Sequence, residues 1–306
     1  MDEINKVVIG QGQVVEQVLA CLLSAGHVLI EGVPGLGKTL LVRAISRCVG
    51  VDSARIQFTP DLMPSDVTGH VMFNMQQQAF EVRKGPVFTN LLLADEINRA
   101  PAKTQAALLE VMAERQVTIE GDSHQVGEPF MVLATQNPIE QDGTYPLPEA
   151  ELDRFMMKVL TDYPSAASEV DLVRYRTFGR TGDSLRVDEL NQVLTADQAL
   201  ALREVCAKVE VDDSVLDYAV RISRATREYV GIYRGAGPRS SIDLVRVARA
   251  RALLSGRGFA TPDDVKAMAP PVLRHRIALT PDMEIEGADP DGVLREMLDS
   301  VEAPRQ

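Results

Sequence analysis

Cysteine is scarce in this chain: Cys21, Cys48 and Cys206 are the only three in 306 residues. They are odd in number and widely spaced. That excludes a disulfide framework and matches no zinc-ligand spacing. Such usage is expected of a protein in a reducing cytosol, and a cytoplasmic location is the expectation here. Positive charge is also in deficit, with 32 Lys and Arg against 44 Asp and Glu and a formal net charge of −12. Non-specific binding to nucleic acid runs on Lys and Arg neutralising phosphates, so a broad nucleic-acid surface is not expected, although a local basic patch is allowed. Long hydrophobic runs are missing as well. Val18 to Ile30 comes nearest, and Ser24, Gly26 and His27 interrupt it. Nothing approaches the roughly 20 apolar residues of a membrane span. The opening Met1-Asp2-Glu3 lacks the basic n-region of a signal peptide, so this segment is expected to be a helix end followed by a core strand. There is no internal repeat and no low-complexity tract. What remains, 45% hydrophobic and 25% charged, is ordinary for a soluble globular protein, and the length allows two domains.

What is present is a phosphate-binding loop. Gly32-Val33-Pro34-Gly35-Leu36-Gly37-Lys38-Thr39 matches the G-x-x-x-x-G-K-[ST] pattern, with Leu40 following. The apolar run from His27 to Ile30 predicts a buried strand before it, and Leu40 to Val49 predicts a helix after it. Strand, glycine-rich loop and helix form the context that separates such a loop from a chance match. In this geometry backbone N–H groups point at the phosphates, and the helix N-terminus adds partial positive charge. Lys38 is expected to reach the β- and γ-phosphates, and the Thr39 hydroxyl to hold Mg²⁺.

A second signal lies some fifty residues on. Leu91-Leu92-Leu93-Ala94-Asp95-Glu96 is a short apolar run ending in two acids. Such a run fits a strand buried on both faces of a parallel sheet, where ligands bind at the carboxyl ends. Asp95 is then placed to hold Mg²⁺, and Glu96 to polarise an attacking water. A strand followed by a solvated acidic turn is the plainer alternative.

From residue 10 to about 160 strands alternate with helices. Strands are predicted at 27–31, 54–58, 91–95, 130–134 and 156–160, with helices at 13–25, 38–49, 103–113 and 148–154. This alternation predicts a doubly wound α/β sheet flanked by helices. Two hairpins interrupt it: Val71–Phe73 with Phe80–Val82, and a second starting at Gln116 and turning at Gly121-Asp122. After residue 165 no further strand is predicted. Helices are expected at 166–178, 196–208, 213–229, 240–255 and 262–268. Thr195 with Gln198 reads as a capping box, and Thr261 followed by Pro262 as a helix start. The linker near Gly179 to Ser184 is expected to be the loosest part. The stretch from Asp282, acidic and broken by prolines, is expected to pack weakly.

Three more residues are candidates. Asn137 follows the strand ending in Thr135-Gln136, where it either orients the attacking water or belongs to a strand-ending Asn-Pro turn. Arg154 ends a short helix. It either serves a γ-phosphate, often across a subunit boundary, or pairs with Glu151 or Glu149. Arg239 sits at the start of a helix, where the dipole disfavours a cation. It either meets a nucleotide phosphate or is simply screened by water.

Together these residues resemble the AAA+ ATPases, and more closely the MoxR family, over about Val8 to Leu279. Gly32 to Thr39 resembles Walker A and Leu92 to Glu96 resembles Walker B. Gly10, within Val8-Ile9-Gly10-Gln11, falls on the segment bordering the adenine. Asn137 falls on sensor 1, Arg154 on the arginine finger and Arg239 on sensor 2. The hairpins are similar to the helix-2 insert and the pre-sensor 1 hairpin. One departure is visible: Gly235-Ala236-Gly237-Pro238-Arg239-Ser240 stands where the family commonly reads Gly-Ala-Ser-Pro-Arg-Ala. The resemblance implies a P-loop α/β domain over 1–165, a smaller all-α lid over 166–281 and an acidic tail over 282–306. It implies hydrolysis of ATP with Mg²⁺ between subunits of a ring, usually a hexamer. It also implies chaperone-like remodelling of client protein complexes, with partners that often carry a von Willebrand factor A domain. A DNA-handling AAA+ protein and a magnesium-chelatase-like motor are the alternatives. Neither hairpin tip carries Lys or Arg, which speaks against the first. A guanine-reading Asn-Lys-x-Asp signature is missing.

Overall fold

The computed structural model describes residues 1–33, 35–137, 143–179 and 185–304. The chain divides into two compact units. The first comprises Met1–Val15, His27–Arg154 and Leu160–Leu200; the second comprises Glu16–Gly26, Phe155–Val159 and the chain from Ala201 onward.

The chain opens with α1 (Asp2–Asn5), α2 (Gly12–Leu23), β1 (Val28–Gly32), α3 (Lys38–Val49), β2 (Ser53–Gln57) and α4 (Pro64–Thr68). Next come the paired strands β3 (Gly69–Asn74) and β4 (Ala79–Lys84), then β5 (Leu91–Asp95) and α5 (Ala102–Glu114). A second pair, β6 (Gln116–Ile119) and β7 (Asp122–Gln125), precedes β8 (Met131–Gln136), α6 (Glu149–Leu152), β9 (Met157–Thr161) and α7 (Ala166–Thr177).

The main sheet has five strands in the order β2-β5-β8-β1-β9. The pairings of β2 with β5, β5 with β8 and β8 with β1 are parallel. Leu91 to Ala94 of β5 and Met131 to Thr135 of β8 are buried throughout. That explains their unbroken apolar runs: a central parallel strand is covered on both faces. β2 lies at an edge and is mostly exposed or half-buried, with Ile56 its one buried residue. The five predicted core strands and the four helices between them are all present, with ends shifted by a few residues at most.

Both predicted hairpins are present too. In the first, Phe73 lies opposite Phe80, and the rings meet edge to face with centroids 5.2 Å apart. They are 49% and 76% exposed, so this apolar pair faces solvent within the unit. The second hairpin turns at Glu120 and Gly121, both with positive φ (49° and 95°), as a two-residue turn requires. The turn therefore falls one residue before the expected Gly121-Asp122.

The second unit is built from α8 (Ala196–Ala207, of which residues from 201 belong here), α9 (Asp213–Ala225), β10 (Ile232–Arg234), α10 (Pro238–Leu254), α11 (Pro262–Leu273), β11 (Ala278–Leu279), α12 (Pro281–Ile285) and α13 (Pro290–Ser300). The box at Thr195 and Gln198 forms: Thr195 N–H donates to Gln198 Oε1 at 2.9 Å, and Gln198 N–H to Thr195 Oγ1 at 3.3 Å. At the start of α11 Asp264 reaches back to Thr261 in the same manner.

Three expectations are corrected here. Strands do not stop at residue 165, because β10 and β11 pair antiparallel through Ile232 and Leu279. They are three and two residues long, too short for any periodicity to show. The last predicted helix does not end at 268; α11 runs through Pro270 and Pro271 to Leu273. Burial of Met268, Ala269, Pro271, Val272 and Leu273 overrides the proline penalty at the helix end. The stretch from Asp282 does not pack weakly throughout. α13 is capped by Asp289, whose Oδ1 accepts from Gly292 N–H at 2.8 Å, and it buries Val293, Leu294, Met297 and Leu298. Of the expected loose linker, residues 180–184 lie outside the described ones.

A buried charge cluster lies within this unit. Asp264 has no exposed side chain and accepts from Arg251 Nη1 and from both Nη atoms of Arg257, each at 2.7 Å. Burial alone would raise its pKa, but the bonds from Arg257, Thr261 and Arg251 outweigh burial and bring it to about 2.

Candidate active site

Parallel register brings the carboxyl ends of four strands level. Gln57 at the end of β2 stands beside Asp95 at the end of β5, Ala94 beside Ala134 on β8, and Thr135 beside Ile30 on β1. The motifs, far apart in sequence, therefore meet at one edge of the sheet. They surround a cavity of about 450 Å³, within the range for small-molecule sites. All its lining residues belong to the first unit.

The phosphate loop forms one wall. Gly32, Gly35, Leu36, Gly37, Lys38, Thr39 and Leu40 all line the cavity. Val33 follows Gly32 in the loop, and Pro34 lies outside the described residues. Two glycines are required by geometry. A Cβ on Gly32 would come 2.3 Å from the Thr161 carbonyl oxygen, closer than backbone can yield. Gly37 has φ 76° and ψ 21°, the left-handed conformation, and caps α3 with no side chain. The first bond within α3 runs from Leu41 N–H to Gly37 C=O at 2.9 Å. The N–H groups of Lys38, Thr39 and Leu40 thus have no intrahelical partner and point out of the helix end, as anion sites require. Gln11 braces the loop by donating from Nε2 to Leu36 O at 2.8 Å.

Lys38 donates from Nζ to Gly32 O at 3.0 Å. Burial lowers its pKa, and the nearby Asp95, Glu96 and Glu31 carboxylates resist that shift.

The acid pair is held tightly. Thr135, buried at the end of β8, donates from Oγ1 to Asp95 Oδ1 at 2.6 Å and accepts from Glu96 N–H at 2.9 Å. One hydroxyl so positions both acids. Arg55 donates from Nη2 to Asp95 Oδ2 at 2.6 Å and to Gln57 Oε1 at 2.9 Å. Gln57 Nε2 in turn donates to Glu96 Oε2 at 2.7 Å, and Arg99 Nε lies 3.1 Å from that same oxygen. Glu96 adopts φ 55° and ψ 50°, uncommon for a residue with a Cβ and costing roughly 1 kcal/mol or more. Strain of this kind persists where surrounding contacts over-determine the backbone.

Asn137 lines the cavity one residue beyond β8. Gly10 is not itself a lining residue: it falls in the chain between the lining residues Ile9 and Gln11, has φ 77°, and an ideal Cβ on it would lie 2.8 Å from Ser168 Cβ. Arg154 is in the first unit, half-buried, but is not among the lining residues; its Nη1 donates to Leu109 O at 3.4 Å. It also opposes the burial that raises the Glu151 pKa. Arg239 is exposed at the second position of α10 in the other unit, four residues before Asp243. Burial raises the Asp243 pKa; Arg276, bonded to it at 2.7 Å, and then Arg239 and Arg246 act against that rise.

Sequence reasoning missed Arg55, Gln57, Arg99 and Thr135. Arg55 and Gln57 did carry a signal: two polar residues at alternate positions of a strand share a face, and this strand ends where the acid pair ends.

Residues 27–157 match the model for the ATPase family associated with various cellular activities (AAA), and residues 224–297 match the AAA lid domain. The chain is 44% identical to the chaperone MoxR1 of Mycobacterium tuberculosis, covering 99% of this chain and 81% of that protein. It is also 44% identical to the uncharacterized protein YeaC of Bacillus subtilis, covering 100% and 94%. The crystal structure of a candidate ATPase from Cytophaga hutchinsonii superposes with a TM-score of 0.91 at 42% identity, covering 99% and 93%.

Proposed function

The chain belongs to the MoxR family of AAA+ ATPases, and we propose that it couples Mg-ATP hydrolysis, at sites shared between subunits of a ring, to remodelling or maturation of partner protein complexes. One observation carries the hydrolytic part. Gly32 and Gly35 to Thr39 of the loop, the acids Asp95 and Glu96, and Asn137 converge on one cavity at the carboxyl edge of the sheet.

The roles follow from that convergence. The N–H groups at the start of α3 and the Lys38 ammonium bind the phosphates. Thr39 and Asp95 both line the cavity and offer only oxygen donors, which suits a hard dication. Mg²⁺ held there would neutralise phosphate charge. Glu96 takes the proton of the attacking water, and Asn137 orients that water. Arg154 lies outside the cavity of its own chain, which supports a role toward the nucleotide of a neighbouring copy, most simply in a hexamer. Arg239 completes the set as a second phosphate ligand.

The helical lid after residue 165 and the two hairpins are the parts that turn hydrolysis into work on a partner. The solvent-facing Phe73 and Phe80 support contact with protein rather than nucleic acid. A von Willebrand factor A domain protein is the expected partner class. Among the described residues no helix is long and apolar enough to cross a membrane, and a cytoplasmic site of action is proposed.

The test is light scattering of the purified chain with and without Mg-ATP, beside its ATPase rate. Ring assembly with turnover supports this reading. A chain that hydrolyses ATP fully as a monomer contradicts the shared site.

A further inference from the structure

Arg176 is a cationic group in the cavity that none of these roles uses. It lies on α7 one turn after Leu172, so the two share a helical face, and both line the cavity. Its Nη1 is buried and has no hydrogen-bond partner among the described residues. Neighbouring arginines are engaged. Arg174 pairs with Asp171 at 3.1 Å, while Arg186 donates to Phe178 O at 2.8 Å and packs over the Tyr175 ring. A guanidinium cannot shed its proton near neutral pH, so a buried N–H left unanswered is costly. In a cavity, such a group fits a partner that arrives with the ligand.

Its position along the cavity is fixed by α7. An ideal Cβ on Gly10 would fall 2.8 Å from Ser168 Cβ and 3.2 Å from Pro164 Cβ. The start of α7 therefore packs on the segment ending in Gly10. Val7, Val8, Ile9, Pro164, Leu172 and Leu185 make part of the lining aliphatic, and Pro164 and Leu172 tie that part to the helix that bears Arg176, whereas Lys38, Asp95 and Glu96 mark the phosphate end.

We propose that Arg176 positions the nucleoside half of the bound nucleotide, its buried N–H donating to an acceptor atom of the base or ribose. This rests on placing the triphosphate on the Gly32–Thr39 loop. The aliphatic residues enclose the flat base, and the guanidinium supplies direction that apolar walls cannot.

The test is calorimetric titration of the full chain with Mg-ATP and, separately, with magnesium tripolyphosphate, which has phosphates but no nucleoside. Arg176→Met is expected to weaken ATP about tenfold or more, with tripolyphosphate affinity unchanged. In turnover it raises the KM for ATP and spares kcat. Equal losses for both ligands, in a variant that melts like wild type, mean that Arg176 acts on phosphate and overturn the proposal. Unchanged affinity for both overturns it equally. Arg176→Lys covers a Met variant that folds poorly: it must show a smaller, still ATP-selective loss. A wild type that binds neither ligand overturns the nucleotide reading itself, and this inference with it.

Discussion

Gln57 Nε2 donates to Glu96 Oε2 at 2.7 Å, so a side chain on the edge strand holds the acid expected to activate water. Arg99 contacts the same oxygen at 3.1 Å. With one carboxylate oxygen committed to protein donors, Glu96 is restrained rather than free to meet a water. Gln57→Ala is expected to raise basal ATP hydrolysis a few-fold. Glu96→Gln is expected to lower it by roughly 10²–10⁴ while leaving ATP binding intact. Steady-state rates and calorimetry on the two variants check this. A fall in rate for Gln57→Ala means that the contact positions Glu96 productively instead.

If Asp95 holds Mg²⁺ as proposed, Arg55 competes with that cation. Its guanidinium donates to Asp95 Oδ2 at 2.6 Å, the oxygen not held by Thr135. The Arg55 side chain is 52% exposed, so the pair is worth little, about 0.2–1 kcal/mol. Arg55→Ala is therefore expected to lower the Mg²⁺ concentration for half-maximal turnover by a few-fold at most. Thr135→Val, by contrast, unhooks both acids at once and is expected to reduce kcat far more. A magnesium titration of the two variants separates these effects.

With Lys38 in its proposed role, nucleotide binding depends on pH. Burial lowers its pKa in the free protein, whereas phosphate anions favour the ammonium. Binding affinity is therefore flat while Lys38 stays charged in the free protein. It falls as pH rises through that lowered pKa toward the ordinary lysine value of about 10.4. In that alkaline window binding takes up protons. The free protein itself gains stability over the same window, since the fold disfavours the charged lysine. Titrations in buffers of different ionisation enthalpy measure the uptake, and Lys38→Met should abolish it along with most binding. Affinity independent of alkaline pH would contradict this role.

Asp264 ties α11 to Arg251 and Arg257, and its carboxyl titrates at about 2 in the folded protein. A depressed carboxyl contributes stability that is fully present above its unfolded value near 3.9 and is lost as pH falls through about 2. The contribution is on the order of 2 kcal/mol. Asp264→Asn should remove it, lower stability at neutral pH by about 3 kcal/mol because Arg251 and Arg257 lose the buried carboxylate they share, and flatten the acid limb. Urea denaturation between neutral and acid pH reads both effects.

Much of this is legible in the sequence alone. The loop Gly32–Thr39 and the run Leu91–Glu96 carry their own punctuation, because buried parallel strands are apolar throughout and end where the ligand sits. Asn137 could be placed because it ends such a strand. Arg55 and Gln57 show in the sequence only as polar residues on one strand face; their roles, like that of Thr135, depend on which strands are neighbours, and order β2-β5-β8-β1-β9 is not written in any local pattern. α13 was missed for a different reason. Its acidic start and prolines read as a tail, although Asp289-Pro290 is a helix start and the burial of Val293, Leu294, Met297 and Leu298 decides the matter. Arg176 carries no sequence signal at all; only a buried, unanswered nitrogen inside a cavity singles it out.

The most direct test of a site shared between subunits is ATPase rate per subunit against protein concentration, wild type beside Arg154→Ala, with light scattering on the same samples. The account predicts that the wild-type rate rises as copies assemble. It also predicts that Arg154→Ala assembles and binds ATP yet loses turnover by about 10³-fold or more. A wild-type rate independent of concentration, with Arg154→Ala as active as wild type, would contradict it.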